Sequence, residues 1–299
     1  MSRKPLLADG ETSRTACART LVRRAVDEKT GERLSPSDVT LRVDWCADLV
    51  SNMAAALLAE HCNTGDVDVL ASGVDEVGRK LPSNTWMALR RLGWSAAPPQ
   101  GVKVNDRIVR MAQEQPGRVL RSAKWRADVV LWVLATWPID PSKRTPSEWD
   151  AVRAAVPGGK YLPSSIIKAR TRQVVTYLKA NGPLPVDVFE LEGTPKAARL
   201  LLLAPCDGQQ ATIERSETDT RQALLRLQLP TRPDPQAYRD WTWVTCPIAL
   251  PPTVPAAAVL HLPPSASRVT PCALTWPTPT PSPRPTAPVI RRRSAWTGA

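Results

Sequence analysis

Two stretches of the chain concentrate basic side chains where they could bind phosphate. "LRSAKWRADV" interleaves three cations with Trp125, and "SSIIKARTRQVVTYLKANG" sets four cations among apolar residues at helical spacing. Ammonium and guanidinium groups bind nucleic-acid backbones by displacing counterions. An exposed Trp125 would stack on a base, whereas a buried one would only pack. The predicted nucleic-acid-binding residues are Arg121, Lys124, Arg126, Lys168, Arg170, Arg172 and Lys179.

The charge of the surrounding segment favours that chemistry. The chain has a net charge of +12, and residues 99–180 carry 15 basic and 6 acidic side chains, a net charge of +9. Residues 1–98 carry 13 of each sign and are neutral. A basic segment inside a neutral protein is typical of nucleic-acid binding. The alternative is an ordinary amphipathic helix whose basic face is only solvated.

The sequence offers no pattern for catalysis. It has only two histidines, His61 and His261, and no G-x-S-x-G segment. "PGGKY" lacks the G-x-x-x-x-G-K-[ST] spacing of a phosphate loop. None of the six cysteines forms a C-x₂₋₄-C pair, and the adjacent His61 and Cys62 are interpreted as packing residues. We therefore predict no catalytic residue, no metal, no cofactor and no small-molecule substrate.

Helices are predicted to carry the basic stretches. Ser35 followed by Pro36 is a helix start, and Thr145-Pro146-Ser147-Glu148 is a capping box. The long segment 118–137 is predicted to form one helix, beginning after a stop at Pro116-Gly117. The last helix runs over 163–181 and ends at Gly182. Residues 35–182 are therefore predicted to form a helical lobe.

Strands are predicted on both sides of this lobe. Residues 18–26 read as a first strand, and the alternating runs after residue 199 include "QALLRLQL" and "DWTWVTC". We predict an α+β fold in which the lobe is inserted into a small antiparallel β-barrel. The barrel would comprise the strand within 1–34 and the β-rich domain 183–264. Residues 265–299, with seven prolines and no acidic residue, are predicted to be a disordered tail.

The apolar segments point to no membrane association. The longest run, "ADVVLWVLATW", is shorter than the ~20 residues of a membrane helix, and no signal segment opens the chain. A cytoplasmic location with reduced thiols is predicted.

The order of a basic strand, a helical block and strands reading "DWTWVTCPIALPPTVP" and "AVLHLPP" resembles the front half of actinobacterial TnpB proteins. These transposon-encoded RNA-guided endonucleases form the transposase OrfB family. The resemblance covers about Arg14 to Pro264 and implies a wedge β-barrel that carries a recognition lobe. Guide-type RNA and DNA are the implied partners, contacted through their backbones. In that family a RuvC-like nuclease domain follows, opening with a motif similar to "GVDWGLN".

The C-terminal "RRRSAWTGA" suggests why that domain is not read here. Shifted by two bases, the codons of "AWTGA" permit V-D-W-G-L, which matches the nuclease motif. We predict a frameshift between about Leu262 and Arg268, and hence a truncated, catalytically inactive nucleic-acid-binding fragment. The residues alone leave two alternatives open: an unrelated basic helical DNA-binding regulator with a β dimerisation domain, or an interaction protein with a solubilising basic face. They do not fix the oligomeric state.

Overall fold

The computed structural model describes residues 12–20, 22–137, 144–186, 188–203, 208–258, 260, 264–266 and 272–280. The fold is α+β, as predicted. The helices are α1 (Pro36–His61), α2 (Thr64–Ser72), α3 (Thr85–Arg91), α4 (Asp106–Ala135), α5 (Pro146–Ala155), α6 (Ser164–Asn181) and α7 (Val188–Glu192). The strands are β1 (Thr12–Thr20), β2 (Ala25–Asp27), β3 (Arg33–Leu34), β4 (Leu200–Leu202), β5 (Ala211–Arg215), β6 (Gln222–Pro230), β7 (Trp241–Ala249), β8 (Pro264–Ala266) and β9 (Cys272–Thr280).

The main sheet is open, so the predicted β-barrel is wrong. Five antiparallel strands are ordered β3-β2-β7-β6-β5, while β1 pairs only with β9 and β4 only with β8 among the described residues. A barrel closes when its two outermost strands pair over a continuous staggered register. Here the outermost strands are β3, with two residues, and β5, with five. The described sheet therefore has two short edges that do not meet.

In the order of the chain, the helices fall between two strands, β2 and β7, that are neighbours in this sheet. β2 pairs antiparallel with β7, with Val26 opposite Thr245 and Asp27 opposite Val244. The predicted first strand, 18–26, is divided between β1, which ends at Thr20, and β2, which begins at Ala25. Within the described ranges, α1 to α7 thus follow β2 and precede β7 in the chain. Of the predicted disordered tail, only 265–266 and 272–280 are described, and they belong to β8 and β9. The rest of the tail lies outside the described residues.

The larger of two hydrophobic cores, here called the sheet core, joins the main sheet to α1, α2, α3 and the first half of α4. One apolar face of α1 enters it through Leu49, Met53 and Leu57, which recur at spacings of four. Alternate residues of β6, such as Leu225, face it from the sheet. This core packs the helices against the main sheet.

The smaller core, here called the tip core, lies at the far end of α4. Val129 and Val133 of α4 pack there with Val152 and Val156 of α5. Leu162, Ile167 and Val174 complete the buried set. Because α4 contributes to both cores, it connects the sheet to the tip of the lobe.

α4 is one continuous helix of 30 residues, where the sequence predicted a stop at Pro116-Gly117. A proline inside a helix removes one backbone hydrogen bond and strains the preceding turn. Tertiary packing overrides that cost here, because Pro116 and Gly117 are both buried. A Cβ added to Gly117 would lie 2.0 Å from Thr85 Cγ2, so the glycine allows α3 to approach closely. None of the helices within the described ranges, α4 included, has the length and apolar character to cross a membrane.

Candidate nucleic-acid interface

The structure divides the seven predicted binding residues into two groups, and four of them serve as internal supports. Arg121 of α4 donates to the carbonyl oxygens of Ser83 at 2.6 Å and Pro82 at 3.0 Å, and so holds the segment that enters α3. Lys124 lies 3.0 Å from Asp128 and 3.1 Å from Asp68 of α2. Those two carboxylates, Asp128 foremost, raise the pKa of Lys124. Neither cation is free to bind phosphate without breaking an internal contact.

Arg126 and Arg170 are held by a single carboxylate. Arg126 of α4 donates from Nε to Glu192 of α7 at 2.9 Å, and Arg170 of α6 bonds the other oxygen of that carboxylate. The side chains of all three are at least 79% buried. This ion triad ties three helices together beside the tip core. Its two arginines therefore support the lobe, and a phosphate would have to compete with Glu192 for them.

The other three residues face solvent along α6, and we call Lys168, Arg172 and Lys179 the α6 stripe. At 100° per residue they lie within about 40° of one another, along about 16 Å of helix. All three are exposed, and none forms an ion pair with a described residue. Ile167 and Val174 bury the opposite face of α6 in the tip core. The helix therefore presents a row of unneutralised cations on a packed support.

The acidic residues of the neighbouring α5 are already engaged. Glu148 accepts the backbone N–H of Thr145 at 2.6 Å in the predicted capping box, and Asp150 accepts from Arg153 at 2.8 Å. Lys168 instead lies over the ring of Trp149, 5.0 Å from its centroid. Trp149 Nε1 is buried and has no described hydrogen-bond partner. The described carboxylates of α5 therefore leave the α6 stripe unneutralised.

The turn between α5 and α6 contains a residue that the sequence reasoning missed. Tyr161 is 83% exposed, and Lys160 Nζ lies 5.9 Å from the centre of its ring. The segment "PGGKY" lacks the spacing of a phosphate loop, so that motif does not point to Tyr161. The signal that could have identified Tyr161 is an aromatic residue next to a lysine, after two glycines, in the short turn between α5 and α6. By contrast, Trp125 is 37% exposed on α4, next to cations that are internally paired.

The remaining polar clusters have structural explanations. His61 stacks on Trp94 with ring centres 4.2 Å apart, and its Nδ1 lies 3.0 Å from Asp66, so it packs as predicted. Buried Arg144 donates to the Val133 carbonyl at 2.9 Å near the end of α4, and burial lowers its pKa. Within the described ranges, no three His, Cys, Asp or Glu side chains are grouped as metal ligands. The α6 stripe is the surface we carry forward.

Comparison with known proteins finds no family model that matches the chain, and no curated protein or solved structure matches it either.

Proposed function

We propose that this chain is a nucleic-acid-binding module, comparable to the wedge and recognition part of TnpB-type RNA-guided endonucleases. Its proposed partners are guide-type RNA and DNA, contacted through their phosphate backbones. Binding without catalysis is the proposed role.

The observation that carries the proposal is the α6 stripe. Three exposed cations without acidic partners keep their charge available for phosphate, whereas paired cations must first break an ion pair. The stripe belongs to the segment with a net charge of +9. Its helix is anchored by Ile167 and Val174, both 0% exposed, so the cations have a fixed base. Contacts of this type position a protein on a backbone without reading sequence.

The chain topology supports the likeness to the wedge and recognition lobe. The helices follow β2 and precede its sheet neighbour β7, so a β domain carries a helical insertion. The open sheet departs from the barrel that the resemblance implies. The proposal therefore depends on the stripe and the insertion, and not on barrel closure.

A charge-reversal experiment tests the role of the stripe. Lys168→Glu, Arg172→Glu and Lys179→Glu together should weaken binding to RNA and duplex DNA by about 10- to 100-fold, measured by fluorescence anisotropy at low salt. The slope of log K against log salt should fall by roughly 2 to 3 for three lost phosphate contacts.

A matched control changes the same charge elsewhere. Arg24→Glu, Lys196→Glu and Arg221→Glu alter three exposed cations that lie outside the 99–180 segment. Equal losses for the two triple variants would mean that net charge, and not the stripe, drives binding, and would overturn the site. Tight sequence-specific binding to duplex DNA without RNA binding would instead favour the regulator alternative.

A further inference from the structure

Beyond backbone binding, we propose that Tyr161 and the cleft beside it hold an unpaired nucleotide, so that the module prefers single-stranded nucleic acid. Tyr161 would stack on the base, and Lys160 would meet the adjoining phosphate. This inference rests on the proposed function and names the form of nucleic acid that the site takes.

The exposure of Tyr161 is the first observation. Its ring is 83% exposed, the most exposed of the large hydrophobic side chains among the described residues. An aromatic face left in water offers a stacking surface that is indifferent to base identity. The neighbouring Lys160 supplies a cation 5.9 Å from the ring centre, and both residues are exposed. A ring beside a free cation matches the base and phosphate of one nucleotide.

The second observation is that the turn carrying Tyr161 is fixed by its surroundings. Gly158 has φ +71°, which side-chain-bearing residues rarely adopt. A Cβ on Gly159 would lie 2.2 Å from the Arg153 carbonyl oxygen, so the turn lies directly against α5. Arg153 Nε donates to the Leu162 carbonyl at 3.1 Å, and Leu162 is buried in the tip core. The exposed ring therefore stands on a pinned backbone, which reduces the ordering cost of stacking.

The third observation is a cleft at the same turn. It is a shallow cleft of about 500 Å³, open to solvent and lined by the residues just before Tyr161, namely Arg153, Ala154, Val156, Gly158, Gly159 and Lys160. That volume lies within the roughly 300–1,000 Å³ typical of small-ligand sites. Arg153 already bonds Asp150, Ser164 and the Leu162 carbonyl, which leaves Lys160 as the cation available to a ligand.

The preference for single strands follows from what a duplex hides. Paired bases are stacked on one another and present no open face, so a duplex can use only the α6 stripe. An unpaired strand can use the stripe and also stack a base on Tyr161. The turn that carries Tyr161 leads directly into α6, so the tyrosine and the α6 stripe are adjacent in the chain.

The test compares three tyrosine variants on two labelled probes, a single-stranded DNA oligonucleotide and a blunt-ended DNA duplex of the same length, in which every base is paired. Tyr161→Ala should weaken single-strand binding by about 10-fold, the effect of losing one aromatic–base stack. Duplex binding should change less than about 2-fold, because the stripe is intact. Tyr161→Phe should keep the wild-type affinity for both probes, since the ring remains.

Tyr238→Ala is the matched control, because Tyr238 is 63% exposed with Lys103 Nζ 4.8 Å from its ring but lies next to β7. It should leave both affinities unchanged. An unchanged single-strand affinity in Tyr161→Ala, with the stripe variant still impaired, would overturn this inference and leave the proposed function standing. Equal losses of single-strand affinity in Tyr161→Ala and Tyr238→Ala would also overturn the assignment of Tyr161 as the base-stacking residue. A wild-type chain that binds neither probe would overturn the proposed function itself.

Discussion

The two ends of the molecule treat their cations differently. Around the sheet core, Arg226 makes two contacts of 2.6 Å with Glu28, and Arg199 bonds Asp48 and lies near Asp44. Each pair joins segments more than 100 residues apart in sequence. Around the tip core, α6 presents three cations with no described acidic partner. Both ends use ion pairs to join elements, but the tip end also sets three unpaired cations in one row along a single helix.

The difference shows that the charge of a segment overstates the charge it offers a ligand. Residues 99–180 have a net charge of +9, yet Lys124 and Arg126 of α4 are committed to carboxylates. Two of those carboxylates, Asp68 and Glu192, lie outside the segment and therefore do not enter its charge count. What a partner meets is the set of cations left after internal pairing, and within residues 99–180 three of these, Lys168, Arg172 and Lys179, lie in one row on α6.

The largest expected effect tests whether the two ends are separable. Leu225→Ala removes a side chain that is 1% exposed in the sheet core and should lower the free energy of unfolding by about 3 kcal/mol. Below the melting temperature the variant should bind nucleic acid as the wild type does, because the α6 stripe is anchored in the tip core. Urea unfolding and anisotropy measure the two quantities. A folded Leu225→Ala protein with greatly weakened binding would show that the sheet end belongs to the interface.

An intermediate effect on stability is expected from the ion pairs, because the Glu192 pairs at the tip are more buried than the Glu28 pair at the sheet. Glu192→Gln leaves Arg126 and Arg170 without a counter-charge in a mostly buried site, and should cost about 2 kcal/mol of stability. Glu28→Gln, which affects the 34% exposed Arg226 pair, should cost less than about 1 kcal/mol. Thermal melts of both variants decide the order. The reverse order would refute the assignment of the triad as the support of the lobe.

The smallest expected effect is a pH dependence at the sheet end. Burial opposes ionisation of Asp27, but hydrogen bonds from Thr242, the backbone of Lys29 and Thr30, and Arg42 together lower its pKa below the usual 3.8. A lowered pKa stabilises the fold above pH 3.8, and that contribution is lost as the pH falls through the folded-state pKa. Asp27→Asn should be less stable at neutral pH and should show a weaker stability loss in acid. Equal acid slopes for wild type and variant would exclude Asp27 as the source.

Local signals in the sequence identified the helices that carry the site, and distant contacts decided the rest. The boxes at Ser35 and Thr145 were predictable because each side chain bonds a backbone three residues away. The continuity of α4 through Pro116 depends on packing against Thr85, which no local pattern reveals. The partner of Arg126 is 66 residues away in sequence, so its pairing could not be inferred. The prediction of a closed barrel was wrong for a similar reason, because closure depends on which distant strands pair at the edges of the sheet.

The passage of α4 through both cores has a mechanical consequence. About 25 Å of helix separates Pro116 from the tip core at Val133, at 1.5 Å per residue. A tilt of about 5° at the proline would therefore carry the tip sideways by about 2 Å, comparable to a misplacement that weakens a phosphate contact. The close packing of Gly117 against Thr85 restrains α4 next to the proline, where such a tilt would begin. The position of the charged end of the lobe relative to the sheet therefore depends in part on the packing of Gly117 against Thr85, far from the charges on α6.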